Sequence, residues 1–424
     1  MRIRFRPERS AIPAFSMSRH GSSTPLRGGV TAARGFRAAG VSCGLRPPAP
    51  RPKPDLAIVC SDGPAVAAAT FTTNKIKAAP VKVSAAHLTA ADVRAVVLNS
   101  ANANAATGPA GIEHARRMAR ATAQALDLRE RQVLVCSTGR IGVPLPIERI
   151  EKGVPGAAAA LSPRGGTAAA RAIMTSDTFP KEFAVREVLP GGGAIHIGGM
   201  AKGAGMIDPN MATMLCVLTT DAALAKKDLQ RALSASVQQS FNRITVDGDM
   251  STNDTVILFA NGQAGAEPCA FGSRAFAQFQ AALDRVTRNL ARLIVEDGEG
   301  ATRFVEVRVS GAASFQDARK AAEAVANSAL VKCSWHGGDP NWGRILDAVG
   351  YSSAAVREEM VDVYYNGLIA VKGGVASRTP RAKLAEVVRE KKFTVHVHLG
   401  IGDGEYCVYT TDLSPKYVRF NQGE

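Results

Sequence analysis

The sequence predicts a mixed α/β (α+β) fold in two lobes, and three observations carry that prediction. Short apolar runs of strand length recur at 56–60, 69–73, 95–98, 132–136, 194–197, 213–218, 255–259, 304–309, 361–365 and 394–399. Several are separated by stretches with apolar residues at helical spacing, so strands and helices interleave. At 424 residues, with 46% hydrophobic and 21% charged, the chain can bury a sizeable core. The alternation lacks the regular beat of a doubly wound sheet, and no G-x-G-x-x-G follows a strand, so a dinucleotide-binding fold is not expected.

The helical patterns have physical signatures. Leu229, Leu233, Val237 and Phe241 lie four apart and make one apolar stripe. Ser273 precedes a second pattern through Phe276, Phe279, Leu283, Val286, Leu290 and Leu293. Ser314 with Asp317 opens a third in a capping-box arrangement, Asp standing for the usual Glu or Gln, that extends to about residue 330. Stretches rich in Pro and Gly at 46–54, 152–166 and 190–193 are expected to be breaks.

The net charge of +15 is unevenly placed. Residues 1–53 hold eleven Arg and Lys against Glu8 alone, and the remainder carries only +5, which argues against a nucleic-acid partner. The first stretch is rich in Arg and Ser and lacks a secretory apolar core. It is expected to be an organelle transit peptide over 1–27, directing the protein to a chloroplast or alternatively a mitochondrion. No run reaches the ~18 apolar residues of a membrane span, so no membrane partner is expected. The seven cysteines are scattered without C-x-x-C, which favours neither a structural zinc nor a disulfide framework. His396 and His398 share one face of a strand with no further ligand in view, so an exposed strand face is expected and no metal site.

The most informative stretch runs from Lys202-Gly203-Ala204-Gly205 through Pro209-Asn210 into the apolar run at 213–218. At the join sits Ala212-Thr213. A Thr hydroxyl after a small residue and a tight turn can attack the preceding carbonyl and cut the chain. The new N-terminal α-amine, with a free-solution pKa near ~8, can then serve as base for the same hydroxyl. On local composition alone, an ordinary loop-to-strand junction is the more frequent reading. Elsewhere, Thr138-Gly139 directly follows a strand, where backbone N–H groups or a hydroxyl can converge as an oxyanion hole, though a plain turn also fits. Thr175-Ser176-Asp177-Thr178 would ligand a polar substrate or cap turns. Asp247, Asp249 and Ser251 suggest a calcium loop, but Thr252 and Leu258 stand where that loop requires Gly and Glu, so a hydrogen-bonded loop bracing the site is expected instead. The run 296–302 offers Glu299 to the ammonium group of an amino acid, or is an acidic helix end capped by Gly298. The segment 337–345, with one of two tryptophans, is a rigid structural turn or part of a subunit contact, and the structural turn is expected.

These motifs, in this order, resemble the ornithine acetyltransferase (ArgJ) family over about residues 28–421. The stretch 202–215 follows K-G-[SA]-G-M-I-x-P-N-M-A-T-M-L, and 99–108 follows N-S-G-N-A-N-A-C-T-G with Ala at 101 and 106. The opening at 28–40, Phe71-Thr72-Thr73-Asn74 and Ala78-Ala79-Pro80-Val81 match further blocks. The resemblance implies a layered sandwich of helices and sheets of the self-cleaving N-terminal-nucleophile type. It implies scission between Ala212 and Thr213, giving an α chain (28–212) and a β chain (213–424) that assemble as α2β2. It implies that Thr213 takes the acetyl group of N2-acetylornithine and passes it to glutamate, with acetyl-CoA as a further donor and no cofactor. Thr138 and Gly139 would form the oxyanion hole, and Thr175, Lys202, Thr213, Glu299 and Asn421 would contact substrate. Family members typically end N-A-[DE]-Y-[TR]-[ST]; Asn421 has a counterpart there and the final hydroxyl residue does not. The alternative is an N-terminal-nucleophile aminopeptidase or amidase of related fold.

Overall fold

A computed structural model describes residues 23–50, 52–208 and 214–422. Every expected strand region contains a strand, and the additional strands extend three sheets. The first sheet has the strand order Thr24–Leu26, Lys181–Val188, Ala194–Lys202, Leu215–Thr220, Thr255–Ala260, Val66–Phe71. The second runs Phe36–Val41, Leu56–Ser61, Ala95–Asn99, Val133–Ser137.

These two sheets face each other. Strand periodicity sends alternate residues to opposite faces, and the cores follow that rule. Leu215, Val217, Ile257 and Phe259 pack inward against Phe36, Val59, Leu98 and Leu134 of the second sheet. Cys216, Leu218, Val256 and Leu258 point the other way, against the helices Lys226–Gln238 and Arg274–Glu296. The outer face of the second sheet (Ile58, Val97, Val135) is covered by Ala79–His87, Gly108–Ala125 and Ile147–Ala159. The result is four layers, helix–sheet–sheet–helix, as the layered-sandwich expectation required. The two strands nearest the site are buried on both sides, and each large apolar residue so placed contributes about 1.5–3 kcal/mol.

The third sheet forms the C-terminal lobe, in the order Val375–Ala376, Leu368–Lys372, Asp362–Tyr365, Lys392–His398, Phe304–Ala312, Gly404–Thr411. Its apolar face (Val305, Val307, Val363, Val395, Val408) packs on Phe315–Asn327, Trp335 and Leu384. His396 and His398 lie on the opposite face, half-buried rather than exposed, with Ser310 Oγ between them at 2.7 and 3.0 Å. No third metal-ligating side chain joins them among the described residues.

Four expectations change. The helix Ile147–Ala159 runs through Pro155 into the expected break at 152–166, because Ile147, Ile150, Val154 and Ala157 make a buried stripe that outweighs one lost backbone bond. The helix opened by Ser314 ends at Asn327, since Ser328 caps a new helix, Ala329–His336. Asn341 caps the helix Trp342–Gly350, so the 337–345 turn is half helical. Thr24–Leu26, inside the expected transit segment, is hydrogen-bonded to Ala184–Arg186 as an edge strand. No helix among the described residues is long and apolar enough to cross a membrane.

Candidate active site

The strands Leu215–Thr220 and Thr255–Ala260 are parallel neighbours in register, so their starting ends lie side by side. Before the first stands Met214, whose N–H donates to Asp254 Oδ1 at 2.9 Å; Thr255 N–H in turn donates to the Met214 carbonyl at 3.1 Å. Ala212 and Thr213 lie outside the described residues, bracketed by Met214 on one side and Asp208 on the other.

Thr138 and Gly139 follow the strand Val133–Ser137. The Thr138 N–H is taken by the Asn99 carbonyl at 3.0 Å. That leaves two donors at this turn. The Gly139 N–H meets no acceptor among the described residues, and the Thr138 hydroxyl accepts from Lys202 Nζ at 3.2 Å, so its own proton is available to donate. Gly139 has φ +132°, and a Cβ there would lie 2.2 Å from the Ala101 carbonyl carbon, so only glycine fits. Asn253 fixes this turn from below, its side-chain amide donating to the carbonyls of Ala103 and Ser137 at 2.7 and 2.8 Å.

Lys202 is 3% exposed. Burial pushes its pKa down, Lys181 adds to that, and Asp177, Asp254 and Glu299 oppose it. Asp177 is the hub of this charge cluster. It accepts from Lys181 Nζ (2.5 Å), Gly203 N–H (2.8 Å) and Thr175 N–H (2.9 Å). Burial alone would raise its pKa, but Lys202, Lys181 and the Gly203 N–H outweigh that and hold it at about 2. Lys181 also pairs with Asp297 at 2.6 Å. The Thr175 turn is thereby fastened to the Lys202-Gly203 strand end. Asp254 goes the other way: burial raises its carboxyl well above the usual range. Its Oδ2 has no hydrogen-bond partner among the described residues, the nearby Thr72 hydroxyl donating to the Ser251 carbonyl instead.

Glu299 N–H donates to the Ala204 carbonyl at 2.8 Å, and Asn421 Nδ2 donates to Glu299 Oε2 at 3.2 Å. A Cβ on Gly205 would strike the Glu299 carboxylate at 2.4 Å, so the carboxylate lies directly on the glycine run. The residue ending the long helix is Asp297, with Gly300 rather than Gly298 taking positive φ. The 247–255 loop braces as expected: Asp247 accepts from Met206 and Ile207 N–H at 2.6 and 2.8 Å and from the Tyr417 hydroxyl at 3.1 Å. Lys202 thus meets Thr138 directly, Thr175 is tied to the Lys202-Gly203 strand end through Asp177, and Glu299 with Asn421 lies on the glycine run that follows.

The ArgJ family model matches residues 37–423. The chain belongs to the ArgJ family. It is 50% identical over 389 residues to the arginine biosynthesis bifunctional protein ArgJ of Geobacter sulfurreducens, covering 92% of this chain and 98% of that one. It is 48% identical over 396 residues to the protein of that name from Symbiobacterium thermophilum (93% and 98%). A solved ArgJ structure from Bacillus halodurans is 39% identical, covers 49% of this chain and 97% of its own, and has a TM-score of 0.47.

These ArgJ relatives are bacterial, which overturns the expected chloroplast address and its mitochondrial alternative. Part of the expected transit segment, Thr24–Leu26, is an edge strand of the body. Sequence reasoning also passed over Asp254 and the Lys181–Asp297 pair, and read Asp177 only as part of a stretch that would ligand a polar substrate or cap turns. Asp254 had a usable signal: it immediately precedes a short apolar strand, and the parallel register sets it beside Met214. Asp177 and Lys181 lie four residues apart, but their cluster closes on Asp297, 116 or more residues away, and that link left no local trace.

Proposed function

We propose that this protein is an acetyltransferase of arginine biosynthesis, moving the acetyl group of N2-acetylornithine to glutamate through an acetyl-Thr213 intermediate, after cleaving itself between Ala212 and Thr213. The carrying observation is the pair of donors at 138–139: a Thr hydroxyl polarised by a buried Lys202, beside a Gly N–H with no acceptor among the described residues. Such a pair is what a tetrahedral oxyanion requires. Family membership supports the substrate class.

In this reading the Thr213 α-amine takes the proton of its own hydroxyl, and Oγ1 attacks the acetyl carbonyl. The oxyanion is held by the Thr138 hydroxyl and Gly139 N–H. The carbonyl C–N bond breaks, the ammonium at position 213 returns its proton to the leaving nitrogen, and ornithine departs. The glutamate amine then attacks the acetyl ester and releases N-acetylglutamate. Because the α-nitrogen of the donor is acylated, Glu299 with its Asn421 partner suits the side-chain ammonium of acetylornithine. Lys202 serves the oxyanion donor rather than a substrate carboxylate. Acetyl-CoA is the second donor of the bifunctional reading. The strand pairing Lys202↔Leu215 would keep cleaved α and β chains in one sheet, the unit of an α2β2 assembly.

The test is an acetyl-transfer assay with N2-acetylornithine and glutamate. Formation of N-acetylglutamate with stoichiometric ornithine supports the proposal. Release of free acetate independent of glutamate would assign the aminopeptidase or amidase reading instead.

A further inference from the structure

The geometry points to a second subsite, a basic cleft on Lys75, Lys77, Lys82 and Arg116 that takes the phosphorylated nucleotide end of the acyl donor. This rests on the reading that acetyl-CoA, an acyl thioester ending in a 3′-phosphorylated adenosine diphosphate, is used by this site. The cleft has a volume of about 740 Å³. Its cations come from three pieces of chain: the connection after the strand Val66–Phe71, the first turn of Ala79–His87, and the middle of Gly108–Ala125. All four are exposed, and none makes an ion pair among the described residues. The one carboxylate on the rim, Glu113, lies 3.8 Å from Arg120. Four unpaired cations around one concavity repel each other, and a multiply charged phosphate group relieves that repulsion.

The cleft also has a path to the reacting centre. Ala106, Thr107 and Gly108 line it, and they continue the loop whose Ala103 N–H donates to the Arg140 carbonyl (2.9 Å) and whose Ala105 carbonyl accepts from Gly142 N–H (3.0 Å). Gly142 is three residues from Gly139, at most about 11 Å of chain. Ile76 in the cleft and Ile141 beside Gly142 are 66% and 44% exposed, apolar side chains suited to the arm between thioester and phosphates. Acetylornithine and glutamate need none of these groups.

The experiment compares the whole protein with Lys77→Glu/Arg116→Glu, measuring CoA binding by calorimetry and acetyl transfer from each donor. Both positions are exposed, so the fold and the acetylornithine-to-glutamate rate are expected to be unchanged. CoA should bind the variant at least ~10-fold more weakly, given two charge-assisted contacts reversed. The KM for acetyl-CoA should rise in step, while the KM for S-acetylpantetheine, which lacks the phosphates, stays constant. Equal CoA affinity in the two proteins overturns the subsite, as does failure of the wild-type protein to bind CoA while acetylornithine transfer proceeds. Loss of CoA binding in the variant of a protein that transfers nothing from acetylornithine would leave the subsite standing and remove the acetylornithine reading.

Discussion

Lys202 spends its hydrogen bond on Thr138, and this decides what its loss should do. Lys202→Met is expected to lower kcat on the order of 10²-fold, the scale of a weakened oxyanion donor, with KM for acetylornithine changing little. Steady-state kinetics with varied donor check it; a KM effect with kcat intact would return the lysine to a substrate carboxylate. Asp177 holds Lys181, the Thr175 turn and Gly203 at once. Asp177→Asn should destabilise the fold by about 3 kcal/mol, measured by denaturant unfolding, because it leaves buried ammonium groups short of a counter-charge. At this scale the sequence made legible the turn at Thr138-Gly139, which directly follows a strand. It was silent on which oxygen each cation meets, since partners such as Asp177 and Asp297 meet only through the fold.

At the scale of elements, the loop 99–107 links the turn at 138–139 to the bracing loop, and its backbone is strained. Ala101, Asn104 and Ala106 have φ of +76°, +46° and +55°, a region that L side chains enter at about 1–2 kcal/mol each. Ala101 stands where the family pattern has Gly. Ala101→Gly should therefore stabilise the protein by about 0.5–1 kcal/mol net of the added unfolded-state entropy, seen as a higher Tm. The strands were readable from the sequence because both faces of the central pairs are buried and read as unbroken apolar runs. Lys181–Val188 and Gly404–Thr411 were not, because charged and polar residues such as Lys181, Glu182, Arg186 and Glu405 interrupt their apolar pattern. The helix through Pro155 was hidden for the opposite reason: a local breaker overridden by tertiary burial.

At the scale of the molecule, the described strands on either side of position 213 share one sheet. Strands before it (Ala194–Lys202, Val66–Phe71) and after it (Leu215–Thr220, Thr255–Ala260) are neighbours in one layer. A cut there removes a connection and leaves the cores whole. Just before that connection lies Asp208, hydrogen-bonded by Asn327 and facing Glu323, Asp247 and Asp249. Burial first, then these carboxylates, raise it to about 7. Between the usual carboxyl value and 7 the folded protein holds a proton that the unfolded chain has released. The stability from this group is thus present at low pH and is lost as pH rises through 7. Asp208→Asn, which keeps the acceptor for Asn327, should raise Tm most at pH 8, less at pH 5, and leave it nearly unchanged below the usual carboxyl value; thermal unfolding across this range checks this.

The central claim is that Thr213 first cuts the chain and then carries the acetyl group. The most direct measurement is the denatured mass of purified, active protein. The account predicts no species at the 44.4 kDa of the intact chain. It predicts two fragments whose masses together exceed the intact chain by one water, one beginning Thr-Met-Leu-Cys, and a single uncut, inactive chain for Thr213→Ala. Active protein that remains one intact chain would contradict it.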